Sequence, residues 1–408
     1  MYLKSIKIKI KSMIAKSNIN DKYVGPKALF DPNYIPPRLL YRKKEETSLF
    51  SILDDSISDE YSLNILYQGI NGIGKKAIVH KVLNDLLTQN KDFIQLNNIF
   101  VDCKEKKLDE LIFSLLSEIN TFSNLNIDFG KIFNLKVSQL WNIFKFICNK
   151  VDSHLFFIFN NIEYLEPEIF NKFLQFSRET NITLISTANK IIKPGTIDLI
   201  SEFDFKNKLN FFTYHELYAI LKQRALLSFS HEIDKHLIRY ITDLICEQYV
   251  PVPGKGIEIL RNLYPILKNE NYSNKIELLE IFQDEFENFQ ISDEFSILNY
   301  LSEEDILTVI FLDNLSNYFI SKMNFYISLK ELQELYEISC ETLEYKKDYN
   351  EFSKLTEELL NFGILKPSKR KYHQKCTFHN FYNANYDLFF ILINPKQIKL
   401  IIDTIFNQ

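Results

Sequence analysis

A short glycine-rich segment, Gly69-Ile-Asn-Gly72-Ile-Gly74-Lys75-Lys76, contains the residue types that bind phosphate groups. Glycines let backbone N–H groups curl around phosphate oxygens, the positive end of a following helix attracts anions, and Lys75 reaches the terminal phosphates. The segment lies between an apolar run, residues 63–68, and a run with helical periodicity. The sequence therefore predicts a phosphate-binding loop between a strand and a helix. The further nucleotide-contact residues that we expect in this loop are Asn71, Ile73 and Ala77.

Side chains that hold a metal ion beside such a loop are replaced in this chain. Position 76 usually offers a Ser or Thr hydroxyl to Mg²⁺, and Lys76 cannot coordinate a cation. A later strand usually ends in an Asp that holds the metal, often followed by a Glu that orients water, but here it ends in Asn160 and Asn161. We interpret the nearest acids, Asp102 and Glu163, as a loop or capping residue and a structural residue. The pattern predicts a site without hydrolysis.

Removing a divalent cation and its Asp while adding Lys76 roughly balances the charge, because the ammonium of Lys76 partly offsets the phosphates as Mg²⁺ otherwise does. We therefore hypothesise binding of ATP or ADP without Mg²⁺ and without turnover. The alternative is a loop that binds nothing and keeps an inherited shape. Five cysteines lie far apart without a CxxC pair, so we expect no structural metal and a reducing, cytoplasmic location.

Strand-like and helical segments alternate around this loop, which indicates a parallel sheet covered on both faces by helices. Strand signals stop near residue 209, where amphipathic helices begin, and a third region combines helices with a basic hairpin. The predicted strands are residues 63–68, 97–103, 154–160 and 182–187, and the predicted helices include 214–229, 231–250, 302–320, 328–342 and 348–362. The prolines of Phe30–Arg38 favour an extended segment.

The predicted domains are a basic tail (1–27), a sheet domain (28–208), a helical lid (209–290) and a winged helix (291–408). The tail alternates Lys with Ile and is either solvated or an arm that contacts DNA. No apolar run reaches the length of about 18 residues that suggests a membrane span, so no membrane partner is expected.

The region from Ala28 to Arg42, ALFDPNYIPPRLLYR, resembles a segment that precedes the phosphate loop in archaeal origin-recognition initiators and in their eukaryotic relatives, the origin recognition complex subunits. In that family a Y-[VI]-P…R stretch packs by the adenine. The matching residues are Tyr34, Ile35, Pro36, Pro37 and Arg42. The segment ISTAN places Asn189 at the sensor-1 position, and FFTYHELYAILKQRA, which contains Tyr214, resembles a further family motif.

This resemblance covers nearly the whole chain and implies an α/β fold: an AAA+ P-loop parallel-sheet domain with a helical lid, followed by a C-terminal winged-helix domain. Two further departures accompany those at the loop. Gly254 stands where the sensor-2 Arg is expected, and no Arg lies between Ile191 and Tyr214, where an arginine finger is expected. The resemblance thus implies a non-hydrolysing subunit or regulator of origin recognition, associated with the nucleoid, with other initiator or AAA+ subunits as partners.

Double-stranded DNA is the expected ligand of the winged helix. The net charge of -5 means that phosphate contacts must come from local patches. The candidates near the recognition helix are Lys346, Lys347, Tyr349 and Asn350, and those of the wing are Lys369, Arg370, Lys371, Tyr372 and Lys375. The helix also carries Asp348, Glu351, Glu357 and Glu358, which weaken the case.

Three functions fit the sequence: a DNA-binding initiator-like protein without turnover, an interaction scaffold with an empty AAA+ pocket, and an active ATPase that uses atypical ligands. The basic wing is also compatible with a merely solvated surface.

Overall fold

The computed structural model describes residues 23–89, 96–104, 106–123, 127–133, 135–151, 153–180, 182–189, 200–269, 278, 281, 305–322, 324–368 and 388–406. They form two compact units. Ile35–Phe211 is called the sheet unit, and Met1–Tyr34 with Phe212–Gln408 is called the helical unit. Among the described residues, no helix is both long enough and apolar enough to cross a bilayer.

The helices in chain order are α1 (Lys27–Phe30), α2 (Lys43–Ser58), α3 (Lys75–Gln89), α4 (Leu108–Phe122), α5 (Phe129–Ile132), α6 (Val137–Cys148), α7 (Pro167–Arg178), α8 (Tyr214–Ser228), α9 (Lys235–Gln248), α10 (Pro253–Asn262), α11 (Tyr264–Leu267), α12 (Ile306–Lys322), α13 (Leu329–Thr342), α14 (Tyr349–Asn361) and α15 (Pro395–Phe406). The strands are β1 (Asn64–Gln68), β2 (Leu96–Asp102), β3 (His154–Asn160), β4 (Ile182–Ala188), β5 (Phe205–Lys208), β6 (Ile327–Ser328), β7 (Leu365–Pro367) and β8 (Leu388–Ile391).

The sheet unit contains a five-stranded sheet in the order β2-β3-β4-β1-β5, with each described pair of neighbours parallel. Strands β3 and β4 are buried along almost their whole length, which is expected where a parallel sheet has both faces covered. The register pairs Asp102 with Asn160 and Gln68 with Ala188, so the carboxyl ends of the strands lie together at one edge. This edge is where ligands bind in open α/β sheets.

An aromatic core lies on the face of the sheet that α6 and α7 cover. The ring of Trp141 meets that of Phe173 edge-on with centroids 5.0 Å apart, and Phe173 in turn lies 5.1 Å from Phe159 of β3. Phe144 packs on the same cluster and is fully buried. Aromatic side chains bury large apolar areas and favour such edge-to-face contacts, so this cluster holds the strands that carry the functional edge.

The four strands predicted in this unit are present, each with ends within one residue of the prediction. Strand β5 was not predicted. It has four residues with alternating half-buried and exposed positions, pairs with β1 at the edge of the sheet and lacks the apolar run of the other strands. A short edge strand of this kind gives almost no sequence signal.

In the helical unit, α8, α9 and α10 pack together, and α10 comes close to α8 at Gly256. A Cβ atom at Gly256 of α10 would lie 2.4 Å from a methyl carbon of Leu221 in α8, so only glycine fits without a shift. Thr213 caps α8 by accepting a hydrogen bond from the backbone N–H of Glu216. The segment before Tyr34 is held to α8, because the Arg224 guanidinium donates to the Ala28 carbonyl at 2.8 Å.

The expectation of an extended segment from Phe30 needs a small correction, because Phe30 is the last residue of helix α1. The first proline of the segment comes two residues later, at Pro32. Proline excludes helix at its own position and disfavours it at the preceding residue, so it does not prevent a turn of helix that ends at Phe30.

The C-terminal part of the helical unit combines α12, α13, α14 and α15 with a three-stranded sheet in the order β6-β8-β7, whose described pairs are antiparallel. Helices α13 and α14 follow each other across a turn at 343–348 in which Glu344 has a positive φ of 56°. Residues 369–387, between β7 and β8, lie outside the described chain.

A buried polar cluster joins helix α9 to this sheet. The Asp243 carboxylate, 1% exposed, accepts hydrogen bonds from the Tyr326 hydroxyl at 2.7 Å and the Ser368 hydroxyl at 2.8 Å. The Arg239 side chain donates to the Ser368 oxygen at 3.0 Å and lies over the Tyr326 ring. A buried charge is tolerated only with such partners, so the cluster fixes the ends of β6 and β7 against α9. We name these four residues the Asp243 cluster.

Candidate nucleotide site

The phosphate-binding loop connects β1 to α3, as the sequence predicts. Gly72 has a φ of 79° and Gly74 a φ of 105°, conformations that residues with a Cβ rarely adopt. A Cβ at Gly74 would meet nothing within 4 Å, so its backbone angle rather than space requires glycine there. The glycine spacing thus produces the curled backbone on which phosphate binding depends.

Lys75 is folded back onto its own loop. Its Nζ donates to the carbonyl oxygens of Gly69 at 2.7 Å and Ile70 at 3.1 Å, and to Oδ1 of Asn189 at 2.7 Å. The side chain is buried, and burial lowers the pKa of Lys75 to about 8, against a smaller opposing effect of the Glu163 charge. The ammonium therefore has three acceptors in the protein, with which a phosphate group would have to compete.

The amide side chains of Asn161 and Asn189 form a hydrogen-bonded chain across the strand ends. Nδ2 of Asn189 donates to Oδ1 of Asn161 at 2.5 Å, and Nδ2 of Asn161 donates to Oδ1 of Asp102 at 2.9 Å. Together with the Lys75 contact, these bonds connect the loop to the ends of β4, β3 and β2. We name Lys75, Asn189, Asn161 and Asp102 the strand-end chain.

Asn160 and Asn161 differ in their partners. Oδ1 of Asn160 accepts from the Thr187 hydroxyl at 3.2 Å, whereas Asn161 has a left-handed φ of 60° that turns its side chain to Asp102 and Asn189. Asparagine adopts this conformation more readily than most residues. Thr187, not named from the sequence, thus occupies the oxygen of Asn160, and its position one residue before the end of β4 was the signal available.

Asp102 was interpreted from the sequence as a loop or capping residue, and its Oδ1 does accept from the backbone N–H of Lys104 at 3.0 Å. The same oxygen also accepts from Asn161, which the sequence interpretation omitted. The adjacency of β2 and β3 places these residues side by side. Glu163 follows in the turn after β3, and its Oε2 is buried without a hydrogen-bond partner in the described part of the chain.

Arg42 stabilises the phosphate-binding loop through hydrogen bonds to backbone carbonyl groups. Its guanidinium, 7% exposed, donates to the carbonyls of Ile73 at 3.3 Å and Asn210 at 3.0 Å, and pairs with Glu45 at 3.3 Å. These contacts connect the phosphate-binding loop to the chain that follows β5. Arg42 therefore supports the loop conformation through protein contacts.

The other predicted nucleotide-contact residues fall in both units. In the sheet unit Asn71 and Lys76 are exposed, Ile73 is buried, and Ile35 and Ala77 are half-buried. In the helical unit the Arg224 guanidinium lies 5.2 Å from the centre of the Tyr34 ring, and Gly254 is in the first turn of α10. Tyr214 is buried, and burial, followed by the charge of Asp243, raises the pKa of its hydroxyl. The structure brings together the residues of the loop, Asn160, Asn161 and Asn189.

The candidate DNA-contact residues before the wing are exposed, but two are engaged with other side chains. The Lys347 ammonium lies 2.7 Å from a Glu341 oxygen and 3.2 Å from a Glu337 oxygen, and these hydrogen bonds raise its pKa. The Tyr349 hydroxyl accepts from Gln333 at 2.5 Å. Lys346 and Asn350 are also exposed. The predicted wing residues Lys369, Arg370, Lys371, Tyr372 and Lys375 lie outside the described residues.

Comparisons with known proteins give a consistent result, although no family model matches the chain. The ORC1-type DNA replication protein 2 of Haloarcula marismortui is 23% identical over 301 residues, which cover 69% of this chain and 70% of that protein. The crystal structure of Cdc6p from Pyrobaculum aerophilum matches with a TM-score of 0.68 at 14% identity, covering 93% of this chain and 98% of that chain.

Two structures from Aeropyrum pernix are also similar. The ORC2 protein in ADPNP–ADP complexes has a TM-score of 0.52 at 16% identity, covering 94% of this chain and 98% of that one. The ORC1 protein in complex with DNA has a TM-score of 0.54 at 14% identity, covering 94% and 97%. These matches confirm the predicted resemblance to origin-recognition-like AAA+ proteins and the α/β AAA+ fold class.

Proposed function

We propose that this chain, which has an origin-recognition-like AAA+ fold, is an initiator-like protein that binds ATP or ADP without hydrolysing it. It binds double-stranded DNA through its C-terminal winged helix and acts as a subunit or regulator of origin recognition, with other initiator subunits as partners. The observation that carries the proposal is that two neutral amides, Asn160 and Asn161, stand at the end of β3 where metal-binding and water-orienting acids are expected, and that both amide oxygens accept hydrogen bonds within the protein.

Mg²⁺ does not fit this set of side chains. The ion takes oxygen ligands, but position 76 carries the ammonium of Lys76, and the oxygen of Asn160 already accepts from Thr187. Among the described residues, no group of three or more His, Cys, Asp or Glu side chains could hold a metal ion. We therefore derive no step through a metal.

Phosphate binding falls to the loop itself. The N–H groups at the start of α3 and the positive end of that helix attract the phosphates. Lys75 turns from the carbonyls of Gly69 and Ile70 to the phosphate oxygens, and the exposed Lys76 supplies a second positive charge. Asn160 and Asn161 are neutral amides, and the nearest carboxylate, Asp102, accepts from Asn161 and from the Lys104 N–H. No carboxylate at the end of β3 is therefore placed to activate water for attack.

The test is a calorimetric titration of the purified full chain with ADP and ATP in EDTA, repeated with Mg²⁺. We expect binding in both buffers and no phosphate release with or without DNA. Lys75→Ala should weaken binding about tenfold or more, because a charged hydrogen bond contributes about 1.5–3 kcal/mol. Lys81→Ala on the same helix is the matched control. Strict dependence on Mg²⁺ would contradict the proposal, and phosphate release would favour an ATPase that uses atypical ligands.

DNA binding is supported by the helical pair α13–α14 and by the basic segment 369–375 that follows β7 in the sequence. A gel-shift assay on duplex DNA at increasing salt tests it. Affinity should fall steeply with salt and with joint neutralisation of Lys369, Arg370 and Lys371, because phosphate contacts release counterions. Binding that ignores both changes would reject this site.

A second candidate is an interaction scaffold whose AAA+ pocket is empty. Two observations favour it: Lys75 is satisfied by protein acceptors, and Lys347 is neutralised by two glutamates. A scaffold predicts no bound nucleotide by mass measurement of the purified protein and no DNA shift. The proposed function predicts that both are present.

A further inference from the structure

The strand-end chain has a direction that its two ends determine. Asp102 ends it with a carboxylate, which only accepts hydrogen bonds, and Lys75 ends it with an ammonium, which only donates. Asn161 must therefore donate its Nδ2 to Asp102 and turn Oδ1 to Asn189. Asn189 must then donate to Asn161 and turn its own Oδ1 to Lys75. Neither amide can rotate by 180° without placing two donors or two acceptors together.

This direction places an acceptor where phosphates would arrive. The lysine of such a loop contacts the terminal phosphates, and Oδ1 of Asn189 lies 2.7 Å from that ammonium. A γ-phosphate oxygen bound to Lys75 in this position would meet the oxygen of Asn189, with like partial charges. For Asn189 to donate to a γ-phosphate, the whole chain must reverse against Asp102.

We propose that Asp102 is a positioning residue that sets phosphate specificity: through Asn161 it turns the oxygen of Asn189 to the loop, so that the site favours a nucleoside diphosphate over a triphosphate. This inference rests on the proposed nucleotide binding. Asp102 is suited to the role because the Lys104 N–H bond orients its carboxylate independently of Asn161. The Cys103 N–H donates to the Asn160 carbonyl at 2.9 Å and fixes the two strand ends to each other.

The experiment is calorimetry of the full chain in EDTA with ADP and with ATP, and the measured quantity is the ratio of the two dissociation constants. We expect ADP to bind roughly five- to tenfold more tightly than ATP, the size of one hydrogen bond gained or lost. Asp102→Asn keeps the shape but can also donate, so the chain can reverse and the ratio should approach one. Asp59→Asn, an exposed acid at the end of α2, controls for net charge.

A second variant separates direction from charge. Asp102→Asn also removes a negative charge, which would by itself help ATP more than ADP. Asn161→Gly breaks the chain at constant charge and tolerates the positive φ at this position, so it should give the same ratio as Asp102→Asn. A changed ratio in Asp102→Asn but not in Asn161→Gly assigns the effect to charge and overturns the proposal.

The remaining outcomes also decide. Equal affinities or tighter ATP binding in the unmodified chain overturn the role of Asp102 and leave the proposed function standing. Binding that requires Mg²⁺ overturns the proposed function, while the ratio measured with Mg²⁺ still decides on Asp102. No binding of either nucleotide overturns both.

Discussion

Asp102 in the sheet unit and Asp243 in the helical unit are both carboxylates that accept hydrogen bonds from neutral groups, but their exposure differs. Asp243 is 1% exposed and accepts from two hydroxyl groups, whereas Asp102 is exposed at the end of β2 and accepts from a backbone N–H and from the Asn161 amide. A buried carboxylate that loses its partners is left desolvated and unpaired, but an exposed one exchanges them for water at little cost. The Asp243 cluster is therefore a fixed connection on which folding stability depends, whereas the strand-end chain contributes little stability and instead sets which donors and acceptors face the loop.

The largest effect should follow from breaking the fixed network. Asp243→Ala leaves the Tyr326 and Ser368 hydroxyls without their buried acceptor beside the Arg239 charge, and we expect a loss of about 3–5 kcal/mol in the free energy of unfolding of the helical unit. Urea unfolding followed by far-UV circular dichroism measures it. Asp234→Ala removes an exposed cap from the same helix and should cost only about 1 kcal/mol. Equal losses in the two variants would remove the distinction between the networks.

The next effect tests whether Lys75 exchanges its protein acceptors for phosphate oxygens when a nucleotide binds. Burial lowers the pKa of Lys75 to about 8 in the free protein, and the lysine must be protonated to hold phosphate. ADP affinity should therefore be level below pH 8 and fall about tenfold per pH unit above it, or about 1.4 kcal/mol per unit. Titrations between pH 7 and 9.5 measure the profile. Lys75→Arg does not lose its proton in this range, so a sloping profile in that variant would assign the pH dependence to another group.

A smaller effect concerns Glu46, a half-buried carboxyl group whose exposure lies between that of Asp102 and that of Asp243. Burial raises the pKa of Glu46 from 4.5 to about 7, and Oε1 is buried without a hydrogen-bond partner among the described residues. The folded state favours the protonated carboxyl, so its stability contribution is complete below pH 4.5 and is lost as the pH rises through 7. Glu46→Gln should thus stabilise the protein at pH 8 by about 1 kcal/mol, after allowance for solvent screening, and not at pH 4.5. Thermal unfolding at the two pH values checks this, and a gain at both would contradict it.

The smallest expected effect concerns DNA binding by two lysines between α13 and α14, Lys346 and Lys347, which differ in their ion-pair partners. Lys347 has two glutamate partners, so Lys347→Ala should leave the salt dependence of DNA binding nearly unchanged. Lys346→Ala should reduce the slope of log affinity against log salt by about 1, the value for one phosphate contact. Gel-shift titrations at several salt concentrations measure both slopes. A larger effect of Lys347→Ala would show that DNA displaces its glutamates.

Much of the sheet unit could be predicted, because β3 is a nearly continuous apolar run, β4 is rich in β-branched residues, and the glycine spacing of the loop admits few alternatives. The sequence also shows Asn160 and Asn161 at the positions where two acids are expected. Their hydrogen-bond partners were not, because the left-handed φ of Asn161 and the adjacency of β2 and β3 exist only in the folded chain. Sequence spacing gives which residues reach the edge of the sheet, but not which donor faces which acceptor.

The Asp243 cluster gave no sequence signal at all. Its members are Arg239, Asp243, Tyr326 and Ser368, and each alone is an ordinary polar residue in the sequence. Strand β6, with two residues, is likewise defined only by its partner β8. Long-range polar contacts of this kind follow from packing that single-sequence periodicity does not encode.

The contacts of Arg42 have an entropic consequence for the loop. Because its guanidinium anchors the carbonyls of Ile73 and Asn210, the loop is preorganised before any ligand arrives. A ligand then loses little of its binding energy to ordering the backbone. The same contacts would keep the loop curved in a protein that had lost its ligand during evolution. The shape of the loop therefore depends on neighbouring protein groups and not on a bound nucleotide.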